Sequence, residues 1–278
     1  MPLVLPHLGR RQSAVAVIVA GALAGTVAAG FDAGPSAPRA HLSLSAAHTP
    51  AAGRIVKPAA RPPLESTTVA TGGRIPGVDC RRVKCVALTF DDGPDRYTEQ
   101  LLHTLRGAHV RATFFMLGMQ VQKFPAVARH VATATEEIGD HTWDHKDLPL
   151  ISPHDARVEI ARARTEIAAV IGMWPVLFRP PYGSINPTVA GLVGGLGMAV
   201  IQWNVDTLDW RERTAKVVAQ RAVSEARPGS IILMHDIYAS TVDAVPAIIK
   251  GLRHRGFTLV TVSQLLGPTR PGQSYFNR

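Results

Sequence analysis

The sequence predicts an α/β fold, a distorted (β/α) barrel with a parallel strand core and about seven βα units. From about residue 80 to 266, short apolar runs alternate with longer segments of helical periodicity. Polar residues suited to chemistry follow nearly every apolar run, as expected for a ring of loops around a barrel mouth. An open doubly wound sheet would concentrate them at one switch point. No Gly-x-Gly-x-x-Gly follows the first strand, so we expect no dinucleotide site.

Each element follows from a local pattern. Strands are predicted where β-branched and apolar residues cluster, at 86–90, 112–117, 137–140, 176–178, 198–203, 230–234 and 257–260. Helices are predicted where apolar residues recur at helical spacing, at 98–106, 125–134, 153–171, 187–196, 214–226 and 241–255. The helix from 153 has the clearest ends, because Ser152-Pro153 is a strong start signal and Gly172 a stop signal.

The N-terminal third of the chain has a different composition. Arg10 and Arg11 precede an uncharged run at 13–30, so residues 1–30 are predicted to be a signal peptide or an N-terminal membrane anchor. Ala and Gly insert weakly into membranes, which favours export with cleavage; an organelle transit peptide is a lesser alternative. Residues 31–78, rich in Pro and Ala, are predicted to be a flexible linker. The folded domain is predicted at 79–268, followed by a C-terminal tail at 269–278. We therefore expect a secreted or extracytoplasmic protein of the cell envelope.

The net charge and the cysteine content indicate the partners of the protein and the redox state of its cysteines. The 278 residues include 30 Lys and Arg against 21 Asp and Glu, a net charge of +9 that favours an anionic environment. The basic residues are scattered without interleaved aromatics, so nucleic acid is not an expected partner. We expect a monomer. In an exported chain, Cys80 and Cys85 are predicted to form a disulfide, with two unpaired thiols as the alternative.

Two adjacent carboxylates, Asp91 and Asp92, end the first predicted strand, and Gly93-Pro94 follows as a turn. Two neighbouring acids cannot both be buried and ionised without water, a cation or a base beside them. Asp-Asp-Gly is also common in ordinary turns. The other motifs must therefore decide whether this pair carries chemistry.

His141 and His145 supply two imidazoles four residues apart, after the third predicted strand. With one carboxylate from the first strand they make a His₂-Asp set that leaves metal positions open for water and substrate. Zn²⁺ suits these ligands, and so does non-haem Fe(II). Surface histidines often have this spacing, so the pair alone is a weak signal.

Further polar residues follow later strands. Arg179 could hold a carboxylate ionised, and a backbone N–H after the rigid Pro180-Pro181 could face a developing oxyanion. His235 ends an apolar strand and suits a general acid, with Asp206 or Asp209 holding its charge. Each has an ordinary structural alternative, a connector or a turn. The same holds for two aromatic residues that could line a sugar cleft or belong to the core, Trp203 and Trp210.

Five segments taken together resemble the ordered motifs of one family. They are Thr89-Phe90-Asp91-Asp92-Gly93, His141-Thr142-Trp143-Asp144-His145, Arg179-Pro180-Pro181-Tyr182, Asp206-Thr207-Leu208-Asp209-Trp210 and Leu233-Met234-His235. The chain is similar in these segments to the NodB-homology polysaccharide deacetylases, carbohydrate esterase family four. The resemblance is to the peptidoglycan N-acetylglucosamine deacetylases in particular, and it covers about residues 80 to 266.

The resemblance implies a metal-dependent hydrolase that removes acetyl groups from N-acetylglucosamine of a cell-wall polysaccharide, with peptidoglycan as the expected substrate. It implies a divalent ion, Zn²⁺ by preference, with Co²⁺ or another ion as alternatives. The implied roles are a catalytic base (Asp91), metal ligands (Asp92, His141, His145), a residue orienting the base (Arg179), a general acid with its partner (His235, Asp209), an oxyanion donor (the Tyr182 N–H) and substrate contacts (Pro181, Tyr182, Trp210, Leu233). The alternatives are a chitooligosaccharide deacetylase, an acetylxylan esterase, a non-enzymatic carbohydrate-binding barrel and a His₂-Asp iron oxygenase.

Overall fold

The computed structural model describes residues 78–278. The predicted signal peptide or anchor at 1–30 lies outside these residues, as does the predicted linker except for Val78. No helix within 78–278 is both long enough and apolar enough to cross a bilayer.

Residues 78–278 contain nine strands and nine α-helices that mostly alternate along the chain. The strands are β1 (Cys85–Asp91), β2 (Thr113–Met116), β3 (Glu137–Asp140), β4 (Leu177–Phe178), β5 (Ala199–Ile201), β6 (Val205–Asp206), β7 (Ile231–His235), β8 (Thr258–Val260) and β9 (Ser274–Tyr275). The helices are α1 (Thr98–Gly107), α2 (Gly118–Lys123), α3 (Pro125–Thr133), α4 (Pro153–Ile171), α5 (Pro187–Gly195), α6 (Asp209–Glu212), α7 (Ala215–Glu225), α8 (Ala239–His254) and α9 (Val262–Leu266).

The strands form one parallel sheet in the order β6-β7-β1-β2-β3-β4-β5-β9. β1 is its centre, pairing with β7, with β2 and, through its first residues, with β8. The predicted distorted (β/α) barrel is confirmed. All carboxyl ends of the strands lie at the same edge, so the loops that follow them form one mouth.

Alternate residues of β1 face two different environments. Val86, Leu88 and Phe90 belong to the larger apolar core, together with residues of α1 and α8. Cys85 and Ala87 face the opposite side and pack with apolar residues of the neighbouring strands. The next two residues on that side are polar. The interior of the barrel therefore changes from apolar to polar along β1 towards the mouth.

Helix α4 shows how local sequence sets an element's ends. Its N-cap Ser152 accepts a hydrogen bond from the Asp155 N–H at 3.1 Å, and Pro153 occupies the first turn. Gly172 ends the helix with a left-handed φ of 78°. The predicted bounds of this helix are confirmed. The capped and strongly periodic helices are those that the sequence predicts best.

Within the segment predicted as a C-terminal tail, 269–278, Ser274–Tyr275 form a strand of the sheet. β9 pairs with β5, Ser230 bridges Asn277, and the Arg278 N–H donates to the Gly229 carbonyl at 3.0 Å. A two-residue strand such as β9 needs only backbone hydrogen bonds, so no long apolar run marks it in the sequence. At the other end of the domain, Cys80 and Cys85 form the expected disulfide at the start of β1.

Candidate active site

The two carboxylates at the end of β1 lie at the mouth of the barrel. Asp91 is the last residue of the strand, and its side chain is buried. Asp92 adopts a left-handed φ of 73°, which interrupts the alternation of the strand. Both side chains consequently line the same pocket instead of facing opposite sides of the sheet.

Arg179 is fully buried beneath this pocket and binds Asp91. Its Nη1 donates to Asp91 Oδ1 at 2.8 Å and to Thr89 Oγ1 at 2.7 Å. Its Nε and Nη2 donate to the carbonyls of Ile201 and Gln202 at 3.2 and 3.1 Å. Burial lowers the pKa of Arg179 from its usual value, but a guanidinium titrates too high to lose its proton in a protein. The Asp91 carboxylate is therefore fixed in orientation and paired with a permanent cation.

Asp92, His141 and His145 form a group that could hold a metal ion. Their ligand atoms all lie within 4.8 Å of one another, and Asp92 Oδ1 is 3.4 Å from His141 Nε2 and 3.5 Å from His145 Nε2. Asp92 Oδ1 is buried and has no hydrogen-bond partner in the described part of the chain. His141 Nδ1 lies 2.7 Å from the Arg179 carbonyl, which requires a proton on Nδ1 and leaves Nε2 free to bind a cation. The donor set therefore fits a divalent ion.

The electrostatics of this group also suit a cation. Burial alone would raise the pKa of Asp92, but the close imidazole of His141, together with His235 and His145, lowers it to about 2. Burial and the charge of His141 lower the pKa of His145. Burial opposes a charge on His141, yet Asp91 and Asp92 outweigh it and raise the pKa of that imidazole. A metal ion would replace the proton that these carboxylates attract.

On the opposite side of the pocket, His235 is held by the buried Asp209. His235 Nδ1 lies 2.8 Å from Asp209 Oδ1, and the His235 N–H donates to Asp209 Oδ2 at 2.7 Å. Thr241 Oγ1 and the Trp210 N–H also donate to this carboxylate, at 2.7 and 2.9 Å. Burial disfavours a charged imidazole, but Asp209, with the charges of Asp92 and Asp91, raises the pKa of His235 to about 9. The group is therefore an imidazolium at neutral pH and can donate a proton from Nε2.

This ion pair gives a prediction that a titration can check. In the metal-free full chain, the His235 imidazole should lose its proton near pH 9, well above the ordinary pKa of 6.5, when followed by NMR. Asp209→Asn removes the charge that stabilises the imidazolium, so the titration should move to lower pH. Asp243→Asn changes an exposed carboxylate on α8 and should leave the titration where it is. An unchanged titration in Asp209→Asn would show that Asp209 does not set this pKa.

These groups open into one pocket of about 410 Å³ at the mouth of the barrel. Tyr182 and Trp210 are substantially exposed at its rim, and the Tyr182 ring centroid is 4.6 Å from that of His145. Leu233 lines the wall. Pro180 lines the wall as well, whereas Pro181, which was predicted to contact substrate, begins the following turn and is not among the lining residues. Arg179 and Asp209 support the pocket without lining it; the lining residues are Asp91, Asp92, His141, His145, Pro180, Tyr182, Trp203, Asp206, Trp210, Leu233, His235 and Tyr238.

Comparison with known proteins matches this arrangement. The family model for polysaccharide deacetylases matches residues 79–201. A solved T48 deacetylase is 42% identical, with a TM-score of 0.69 over 71% of this chain and 99% of that chain. The chain belongs to the polysaccharide deacetylase family. The peptidoglycan N-acetylglucosamine deacetylase PgdA of Listeria monocytogenes is 36% identical over 70% of this chain and 42% of its own length. The peptidoglycan N-acetylmuramic acid deacetylase PdaC of Bacillus subtilis is 41% identical over 66% and 38%. The chain thus spans about two fifths of the length of these two relatives.

Several residues at the site of this polysaccharide deacetylase family member were not predicted from its sequence. Thr89 faces the interior between Ala87 and Asp91, a position that the alternation of β1 could have indicated. Thr241 lies in α8 and reaches Asp209 only in the folded chain, so no local pattern marks it. Tyr238 lines the pocket beside His235, with ring centroids 5.8 Å apart. Its position shortly after a strand end was its only sequence signal.

A second cavity, of about 420 Å³, lies between α1 and α8. It contains no carboxylate or imidazole and is lined by Thr104, Gly107, Ala108, Pro246, Ile249, Lys250 and Arg253. No carboxylate or imidazole is thus present among the lining residues to activate Thr104 or to pair with Lys250.

Proposed function

We propose that this protein is a metal-dependent hydrolase that removes acetyl groups from N-acetylglucosamine residues of peptidoglycan. One observation carries the proposal. A carboxylate held by a buried arginine, an Asp/His/His group suited to a cation, and an imidazolium held by a buried aspartate all adjoin one pocket. These are the base, the electrophile site and the acid that amide hydrolysis requires.

Asp92, His141 and His145 would hold a divalent ion, Zn²⁺ by preference, which polarises an acetamide carbonyl and makes water more acidic when bound. Asp91 takes a proton from the attacking water. Arg179 keeps Asp91 aimed into the pocket, because its guanidinium fixes Oδ1 and leaves Oδ2 as the acceptor.

The Tyr182 N–H and the His235 imidazolium would complete the reaction. The Tyr182 N–H, in the turn at Pro181–Gly183, would donate to the oxyanion that develops as water adds to the acetamide carbon. His235 donates its Nε2 proton to the sugar nitrogen as the carbon–nitrogen bond breaks. The products are acetate and a free amino sugar. Leu233 at the wall and Trp210 at the rim would contact the acetyl methyl group and the sugar ring.

The relatives support peptidoglycan as the substrate, since two of them are named for its deacetylation, one at N-acetylglucosamine and one at N-acetylmuramic acid. A cell-wall substrate also agrees with the expectation from the sequence that the domain works outside the cytoplasm. In that expectation, residues 1–30 direct export or anchor the chain and residues 31–78 form a linker. We further propose that the protein is a monomer. Chitin oligosaccharides and acetylxylan are the alternative substrates, because the residues at the mouth act on the acetyl group.

The direct test of the substrate is acetate release from peptidoglycan, chitin oligomers and acetylxylan, measured side by side with the full chain. We expect peptidoglycan to have the highest kcat/KM. A preference for chitin oligomers or acetylxylan would replace the proposed substrate, and release from none of them would leave a carbohydrate-binding barrel as the function.

Metal removal gives a second prediction. Dialysis against a chelator should abolish acetate release, since neither Asp91 nor His235 can polarise the acetamide carbonyl. Adding Zn²⁺ should restore the activity of the wild-type protein. It should not restore the activity of His145→Ala, because this variant lacks one metal ligand. His154→Ala, which changes an exposed imidazole in the first turn of α4, is the matched control. Full activity after chelation, with no metal detected by elemental analysis, would contradict the mechanism; dependence on iron and oxygen would point to an oxygenase.

A further inference from the structure

Arg213 is an exposed cation that is fixed in place at the rim of the pocket. Its guanidinium carbon lies 3.4 Å from the centroid of the Tyr238 ring, and its Nε donates to the Trp210 carbonyl at 2.8 Å. Its backbone is also unusual, with a left-handed φ of 47° at the end of α6. Stacking on an aromatic ring and a hydrogen bond together hold a guanidinium in one orientation.

Both residues that hold Arg213 line the pocket. Tyr238 also lies against His235, which places the cation near the end of the pocket where the acid stands. No Lys or Arg is among the pocket-lining residues, whereas four carboxylates and three imidazoles are close by or line it. Arg213 thus offers a positive charge to a ligand that extends out of the pocket on this side.

Arg213 has no carboxylate partner among residues 78–278, unlike its neighbour Arg211. Arg211 donates to Glu212 at 2.9 Å, so its charge is already compensated. The planar guanidinium fork of Arg213 suits a carboxylate particularly well. An oriented, uncompensated cation at a rim serves recognition better than stability.

We propose that Arg213, held by Tyr238 and Trp210, is a specificity-determining residue that binds a carboxylate on the glycan next to the acetyl group being removed. This inference rests on the proposed function and narrows its substrate class. In peptidoglycan, N-acetylglucosamine alternates with a sugar whose lactyl ether carries a carboxylate or a peptide. Chitin oligomers carry no such group. Arg213 would therefore favour an anionic glycan over a neutral one of equal length.

The test compares matched substrates and matched variants of the full chain. Peptidoglycan glycan fragments freed of peptide carry the lactyl carboxylate, and methyl esters of the same fragments remove its charge. For wild type, kcat/KM should be higher for the acid than for the ester, and the advantage should shrink as ionic strength rises. Arg213→Gln should lower kcat/KM for the acid by about 1.5- to fivefold, the range for an exposed ion pair, and leave kcat/KM for the ester unchanged.

Arg211→Gln is the control. It removes a positive charge two residues before Arg213, and the Arg211 side chain is already paired with Glu212. It should leave the acid-to-ester ratio at the wild-type value. Equal losses on both substrates in Arg213→Gln, or an equal shift of the ratio in Arg211→Gln, would overturn the proposal.

A binding measurement separates this inference from the proposed function. Asp91→Asn protein should bind acid and ester fragments without turning them over, so calorimetry can compare the two with and without Arg213→Gln. If the wild-type protein released no acetate, the deacetylase function would be refuted. Recognition by Arg213 would still be supported if the protein bound the acid more tightly than the ester and lost this preference only when Arg213 was changed. If protein with an intact Arg213 bound the acid and the ester equally well, recognition of the carboxylate by Arg213 would be refuted.

Discussion

Asp91→Asn should lower kcat for acetate release by about a thousandfold or more while the protein keeps its metal. The change preserves size and the hydrogen bond from Arg179, whose Nη1 lies 2.8 Å from Oδ1. It removes the basic oxygen that accepts the proton of the attacking water, and a positioned general base typically contributes about 10²- to 10⁴-fold. Acetate release under saturating substrate and elemental analysis of bound metal measure the two effects separately.

The control for this variant is Asp243→Asn, the same substitution at an exposed carboxylate of α8. It should leave both kcat and metal content at wild-type levels. If Asp91→Asn kept near-normal turnover, another group would have to be the base. If it lost its metal, Asp91 would be acting as a ligand beside Asp92.

Arg179→Met should destabilise the fold by about 3–5 kcal/mol, the cost of leaving a buried charge without its partner. Arg179 is fully buried, and its guanidinium supplies hydrogen bonds to Asp91, Thr89 and two backbone carbonyls. Methionine fills similar space but leaves the Asp91 carboxylate unpaired. Chemical denaturation of the full chain would measure the loss, and acetate release should fall as well because Asp91 loses its orientation.

A double variant separates the charge from the packing. Asp91→Asn combined with Arg179→Met removes both charges, so it should recover part of the stability that Arg179→Met loses. If Arg179→Met and the double variant were equally stable, the unpaired Asp91 carboxylate would not be the cause of the destabilisation. Wild-type stability in Arg179→Met would contradict a structural role for this ion pair.

Most of the architecture could be predicted from periodicity and from end signals. Helix α4 has Ser152-Pro153 at its start and Gly172 at its end, and its predicted bounds are the observed ones. β3 was also predicted with its observed bounds. These elements are specified by residues within them or next to them, which is the information that a sequence displays directly.

The elements that were missed are short and depend on distant partners. α2, β6, α6, α9 and β9 have six residues or fewer, too few for a helical or strand period to be visible. β9 exists because β5 offers it a free edge. An edge is a property of the assembled sheet, so no window of sequence around residue 274 contains it.

At the site, the sequence predicted residues that the structure places around one pocket, but it did not predict how they are arranged in depth. Strand ends and spacing marked Asp91, His141 and His235 as candidates. That Arg179 lies beneath the pocket, and that Pro180 lines it where Pro181 does not, depends on which way each side chain faces. Residues that support the site from other helices, such as Thr241, carry no local signal at all.

The pairing of β1 with β7 also has a consequence for when the protein becomes active. Asp91 and His235 are direct partners in that register, and the supporting hydrogen bond from Thr89 to the Ile232 carbonyl joins residues 143 positions apart. Contacts of such high sequence separation carry a large loop-closure cost and form slowly. The proposed acid and base are therefore brought together only by long-range pairing, so turnover would itself report that these distant parts of the chain have paired.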